Sequence, residues 1–187
     1  SVFNVFQDPK YRGRIAVFHF AGHAGLDFLR FETEGGEGLS ADAAALAAFL
    51  SRQPSLRLVV LNGCMTAKQA EAMSAAGLPA VIASTVEIAD HVGALLAEQF
   101  YRALTAGLTV QQAFHDARDL VFAQEGTTWG LDIFRHDNAP ADWRLQDLVD
   151  DPLWDLQPLP LTDLPPSPYR YLNWFRYEDA PIFFGRR

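Results

Sequence analysis

The sequence predicts an α/β domain built on a mostly parallel sheet with helices on both faces. Two observations carry that expectation. Short runs rich in β-branched and aromatic residues recur between residues 14 and 134 of the 187-residue chain, and segments with apolar residues at helical spacing lie between them. The strand runs are apolar throughout rather than alternating, which is the pattern of strands buried on both faces. A chain of this length supports one domain with a proper core and a tail, and is marginal for two.

Taken in order, Arg14 to Phe20 (RIAVFHF) is the first predicted strand, closed by the break at Ala21–Gly22. Asp27 to Glu32 predicts a second, with the glycines of GGEG behind it. A helix is expected from Ser40 to about Leu50, with Leu46, Phe49 and Leu50 on one face. Leu56 to Leu61 (LRLVVL) is the strongest strand and ends at Asn62-Gly63-Cys64. Thr66 and Gln69 fit the capping box of a helix that Ala70, Met73 and Gly77 continue. Pro79 to Ser84 (PAVIAS) predicts another buried strand.

From about Ala89 to Ala106, Val92, Leu95, Leu96, Phe100 and Leu104 recur at helical spacing, and Gly107 is the stop. Thr109 and Gln112 form a second capping box, opening a helix with Val110, Ala113, Phe114, Ala117 and Val121 inward. Trp129 to Phe134 is the last expected strand. After His136 the character changes. Residues 137–187 hold the run PLPLTDLPPSP and three of the four tryptophans, so the domain is expected to span 1–136. Residues 137–187 then form a Pro- and aromatic-rich linker or an arm laid on another surface.

Composition excludes several classes. A net charge of −8 and a pI near 5.0 argue against a nucleic-acid or anionic-membrane surface, which calls for a basic patch. No apolar stretch approaches the length of a membrane span, and the N-terminus lacks a signal-peptide pattern. The single cysteine excludes an internal disulfide and a multi-cysteine zinc site, and a lone thiol suits a reducing cytoplasm.

The chemistry-bearing residues are His23, in HFAGHAG, and Cys64, in VVLNGCMTA. Each follows a predicted strand, and in doubly wound sheets ligands collect beyond the carboxyl ends of the strands. Cys64 also precedes a predicted helix N-terminus, a setting that favours the thiolate. The residues alone leave both readings open, because a free cysteine at a strand end is commonly a buried filler and a lone histidine commonly structural. His19 alternates onto the face of Val17 and Ile15 and reads as a hydrogen-bonded core or supporting residue. A His19–His23 metal pair does not fit: that spacing aligns ligands on a helix, whereas this segment is a strand and its turn.

The ordered segments HFAGHAG, VVLNGC, AVIASTVEIAD and EQFYRALTAGLTVQQAFHDAR resemble the CHAT family of caspase-like peptidases, relatives of separase, over residues 14 to about 135. The resemblance implies a three-layer α/β/α caspase-like fold and a cysteine endopeptidase without metal or cofactor. His23, not His19, would be the catalytic histidine and Cys64 the nucleophile, with the backbone N–H groups of Cys64 and Ala24 holding the oxyanion. Ala24 stands where the family has glycine but still supplies that N–H, and Val86 stands where it has tryptophan. The strand and helix that open the family domain are not found upstream, so residue 1 is expected to be internal to a longer protein.

Asp90 falls where the family and separase carry an acidic residue after the AVIAS strand. Its implied role is to line the pocket for a basic residue before the scissile bond; the alternative is a cap on the following helix. Glu87 is a second pocket candidate, or else a solvated turn residue. His91 and His115 read as surface or packing residues and His136 as a turn.

PYRYLNWFRYEDAPIFFGR is similar to the segment leading into the NTPase domain of bacterial STAND proteins. No GxxxxGK[ST] occurs in the chain. That likeness implies a cytoplasmic effector domain whose partner is a C-terminal STAND NTPase and sensor region of the same polypeptide, with oligomerisation through that region. Such proteins are associated with prokaryotic antiphage immunity and cell death. The expected activity is cleavage of a protein substrate after a basic residue. The competing class is a catalytically silent caspase-like interaction module that regulates the attached NTPase.

Overall fold

The computed structural model describes residues 2–25, 27–32, 38–126, 130–138 and 141–148. In chain order the elements are α1 (Val2–Gln7), β1 (Val17–Ala21), β2 (Ala24–Gly25), β3 (Phe28–Glu32), β4 (Gly38–Asp42), α2 (Ala43–Ser51), β5 (Leu58–Asn62), α3 (Ala67–Ala75), β6 (Ala80–Ser84), α4 (Asp90–Thr105), α5 (Val110–Glu125) and β7 (Leu131–Arg135). Gly35, Gly36, Trp129 and the arm after 148, with Trp154, Trp174 and the STAND-like segment, lie outside the described residues.

The main sheet is ordered β1-β5-β6-β7, with β1, β5 and β6 parallel and β7 antiparallel to β6. Side chains alternate across it with period two. Phe18, Phe20, Val59, Leu61, Val81 and Ala83 pack on one face with Phe6 of α1, Leu46 and Leu50 of α2, and Ala70 and Met73 of α3. Leu58, Val60, Ala80 and Ile82 pack on the other with Val92, Leu96 and Phe100 of α4 and Phe114, Ala117 and Val121 of α5. The fold is therefore a three-layer α/β/α sandwich, and the continuous apolar strands follow from having a helix layer on each side.

Local signals met tertiary competition at five places. The strand predicted at 27–32 is β3, but it leaves the parallel sheet and pairs antiparallel with β2 and β4 in a separate three-stranded sheet. Ser40 does not start a helix: it sits in β4 opposite Arg30, and Asp42 caps α2 by accepting from the Ala45 N–H at 2.8 Å. Gly77 ends α3 rather than continuing it, at φ 101°, a left-handed conformation that glycine adopts without steric cost. The Leu78 N–H to Met73 O bond (3.1 Å) completes the stop. Ile15 precedes β1 and packs with the α1–α3 core, whereas Val17 joins the opposite one.

The fifth place is the capping box at α3. Thr66 has φ −87° and ψ 6° instead of the extended cap geometry, and its side chain makes no cap bond. The box at Thr109 and Gln112 forms as predicted, from an extended Thr109. Residues up to Val149 form one compact unit. Within it, residues assigned by composition to the arm pack on α5: the N–H groups of Val110 and Gln111 donate to Trp143 O (3.1 Å) and Ala141 O (2.8 Å).

Candidate active site

Adjacent parallel strands deliver their loops side by side. The β1–β5 register pairs Ala21 with Asn62, so Gly22-His23 and Gly63-Cys64 leave the sheet together. The Gly22 N–H donates to Asn62 O at 3.2 Å. A Cβ on Gly63 would lie 2.7 Å from Gly22 O, so only glycine permits the two loops this approach. The Asn62 amide nitrogen donates to Gly93 O on α4 at 2.9 Å, and a Cβ on Gly93 would collide with the Asn62 side chain. Strand end and helix are thus locked at the position just before Gly63-Cys64.

Cys64 is half-buried in the turn between β5 and α3. The next residue, Met65, adopts the left-handed region at φ 53°, which costs a non-glycine residue about 1–2 kcal/mol. Two bonds to the loop after β6 hold that turn: Met65 N–H to Val86 O at 3.1 Å, and the Cys64 thiol to Ile88 O at 3.6 Å. The buried Thr66 hydroxyl, freed from capping, donates to Leu61 O (3.2 Å) and accepts from the Ser84 N–H (3.1 Å), tying the ends of β5 and β6 together. Cys64 lies two residues ahead of the N-cap of α3, at the positive end of its dipole.

His23 is exposed, and its backbone is gripped by the small sheet. The Arg30 N–H donates to His23 O at 3.0 Å. Positions 23 and 30 therefore form a hydrogen-bonded pair of the hairpin, and the next pair, Ala24 with Leu29, is a non-hydrogen-bonded one. In such a pair the N–H groups point away from the partner strand, so the Ala24 N–H is not used in the hairpin. The buried Gln69 amide of α3, the other half of the unformed capping box, donates instead to Gly25 O. It ties the helix after Cys64 to the loop after His23.

An open cleft of about 500 Å³ lies at these strand ends. Gly22, His23, Gly63 and Cys64 form its mouth, Asp90, Ala94 and Ala97 of α4 one wall, and His19 and Ala21 of β1 another. The fold thus brings His23, Cys64 and Asp90 to one cavity. Asp90 is the first helical residue of α4; the cap is Ala89, without a side-chain cap bond, so the capping alternative for Asp90 is not what the chain adopts. Glu87 is exposed in the preceding loop and is not among the lining residues, and neither is Ala24.

The sequence did not signal the partner of His19. Its Nδ1 lies 2.8 Å from the Tyr101 hydroxyl, and the rings stack at 5.5 Å with 25° between planes. Burial lowers the His19 pKa and pushes that of Tyr101 up to about 12, which keeps both groups neutral near pH 7. Tyr101 shares a helix face with Asp90, Ala94 and Ala97 by spacing, but only the packing of β1 against α4 joins it to His19. Of the other histidines, His91 faces Glu125 at 3.4 Å on the surface, His115 is half-buried against Phe114, and His136 binds Ser74 O at 2.7 Å from a 3₁₀ turn.

Among the described residues no helix is long and apolar enough to cross a membrane, and no cluster of three or more His, Cys, Asp or Glu side chains is set to hold a metal. No curated protein matches the chain. The family model of the CHAT domain matches residues 4–147, which take in both sheets, the paired loops and the cleft between them. With that match over most of its length, and with a histidine loop and a cysteine loop issuing from neighbouring parallel strands, the chain belongs to the CHAT domain family, a caspase-like, peptidase-related family.

Proposed function

We propose that this domain is a cysteine endopeptidase in which His23 and Cys64 form the catalytic dyad. One observation supports the reading: the only cysteine of the chain and an exposed histidine line the same cleft, on neighbouring loops joined by the Gly22 N–H to Asn62 O bond. His23 takes the proton of the Cys64 thiol, and the thiolate attacks the scissile carbonyl carbon. The resulting oxyanion is held by backbone N–H groups at Cys64 and Ala24. His23 then protonates the leaving amine as the C–N bond breaks and a thioester remains. Water, deprotonated by His23, attacks the thioester, releasing the new carboxylate and restoring the thiol.

Asp90 on the wall supplies a fixed negative charge, so the preferred residue before the scissile bond is arginine or lysine. The same reading makes the domain the effector of a cytoplasmic prokaryotic immune or cell-death protein, regulated by a STAND NTPase region. An electrophilic peptide with arginine next to its warhead tests the chemistry: it should label Cys64 in the wild type and fail in His23→Ala. Equal labelling of both proteins would remove the dyad.

A further inference from the structure

The cleft has a depth that the dyad and Asp90 do not account for. Asp90, Ala94, Ala97 and Tyr101 repeat at intervals that place them on one face of α4. The first three line the cleft, and the fourth, one turn further along the helix, bonds to His19. At 1.5 Å per residue, the wall from Asp90 to Ala97 is about 10 Å long. Both intermediate positions are alanine, so no side chain fills the space. On the opposite wall, His19 and Ala21 are alternate residues of β1 and face the same way. The cavity is a slot running down from Cys64 between β1 and α4, and its lower end is His19 beside Ala97.

His19 is held there rather than merely present. Nδ1 faces the Tyr101 hydroxyl at 2.8 Å, which leaves Nε2 for the cleft. A phenol can donate or accept, so either imidazole tautomer satisfies the pair. When an N–H approaches Nε2, Nδ1–H donates to the Tyr101 oxygen and the Nε2 lone pair accepts.

We propose that His19, braced by Tyr101, is a specificity-determining residue that closes the slot and accepts a hydrogen bond from the head of a long, unbranched basic side chain preceding the scissile bond. The inference rests on the proposed peptidase function. Arginine and lysine are the two protein side chains that combine that length with an N–H-rich cationic end. Asp90 draws a cationic side chain in from the upper end of the helix wall, and His19 offers its head a neutral acceptor at the lower end of the strand wall. Neutrality matters, since an imidazolium would repel the cation. Burial, by holding the His19 pKa below its ordinary 6.5, keeps it neutral.

The test compares cleavage of matched peptides with arginine, lysine or the uncharged, unbranched norleucine before the scissile bond, using the full-length protein under conditions in which the wild type cleaves. Losing a hydrogen bond to a charged group should lower the arginine-to-norleucine ratio of kcat/KM about ten-fold or more in His19→Ala. His19→Gln, which restores a neutral acceptor, should recover most of the ratio, and Tyr101→Phe, which keeps the ring but loses the brace, should fall between. Ala97→Leu fills the slot while leaving the His19 and Tyr101 side chains unsubstituted. It should depress cleavage after all three long residues while leaving alkylation of Cys64 by iodoacetamide unchanged. A ratio unmoved in folded His19→Ala and Tyr101→Phe, or wild-type cleavage by Ala97→Leu, overturns the role of His19 and leaves the dyad standing. A wild type that neither cleaves nor is labelled at Cys64 by the arginine electrophile overturns the peptidase reading, and this inference falls with it.

Discussion

Gly63→Ala adds one methyl group where the loops carrying His23 and Cys64 are closest. The new Cβ would lie 2.7 Å from Gly22 O, at least 0.7 Å short of the 3.4 Å at which ordinary contact begins. The obstructing atom is backbone, so no rotamer change relieves the clash. Gly63 does not use a left-handed conformation, so alanine's own φ and ψ are not the problem. Overpacking of this kind costs about 1–3 kcal/mol. Separating the loops also stretches the Gly22 N–H to Asn62 O bond, worth about 0.5–1.5 kcal/mol. The sum, roughly 2–4 kcal/mol, corresponds to a melting-point decrease of roughly 5–15 °C in a domain of this size. A displacement approaching 1 Å between reacting groups costs about 10²-fold in rate, so labelling of Cys64 by the arginine electrophile should slow by that order at a temperature where the variant is folded. Gly77→Ala is the control: at φ 101° with open space around it, its strain of about 1–2 kcal/mol should lower stability without slowing the label. Wild-type melting and labelling in Gly63→Ala, or equal loss of labelling in Gly77→Ala, would refute the claim that this approach sets the dyad.

Other expectations concern the groups themselves. Cys64→Ala should abolish peptide cleavage with a melting point within a few degrees of wild type, because a half-buried thiol leaves only a small void; retained turnover refutes the nucleophile. His23→Ala should lose activity comparably, and the double variant should be no worse than either, since members of one catalytic unit are not additive. Asp90 is exposed, so Asp90→Ala should depress cleavage after arginine or lysine about ten-fold, as expected for losing one hydrogen bond to a charged group, and should affect uncharged sites far less; an unchanged preference sinks the pocket assignment. The His19–Tyr101 pair should leave a mark on stability at both ends of the pH scale. His19 titrates below its ordinary 6.5 when folded, so the unfolded chain binds that proton more readily. Its contribution is present above pH 6.5 and is lost as pH falls through the folded value. Tyr101 is raised from 10.0 to about 12, so its contribution is present below pH 10 and lost as pH rises toward 12. Urea midpoints of wild type against His19→Gln and Tyr101→Phe read each limb, and parallel pH profiles would contradict the burial argument.

The layer architecture was written in the sequence itself. The apolar runs at 58–61 and 80–83 and the helical repeat through Leu104 require a sheet covered on both faces, whatever the loops do. The buried stripe of α5 and its capping box are local properties and formed as read. His23 and Cys64 were legible as residues at strand ends. That both face one cleft was expected from the strand-end rule and the family resemblance, not from a local pattern, because it depends on β1 and β5 being neighbours, a long-range pairing. Where a side chain had two possible partners, tertiary contacts won. Thr66 and Gln69 carry the composition of a capping box, yet the Thr66 hydroxyl bridges two strand ends and the Gln69 amide reaches Gly25 O. Both side chains are buried, and the strand-end and loop backbone groups packed against them take their hydrogen bonds in place of the local cap. Asp90 left its capping role open until the backbone assigned the cap to Ala89. His19 shows the limit most clearly. Strand alternation predicts its face, but Tyr101 and the slot beside it exist only because α4, with alanines at 94 and 97, packs over β1, and that packing is a property of the assembled fold.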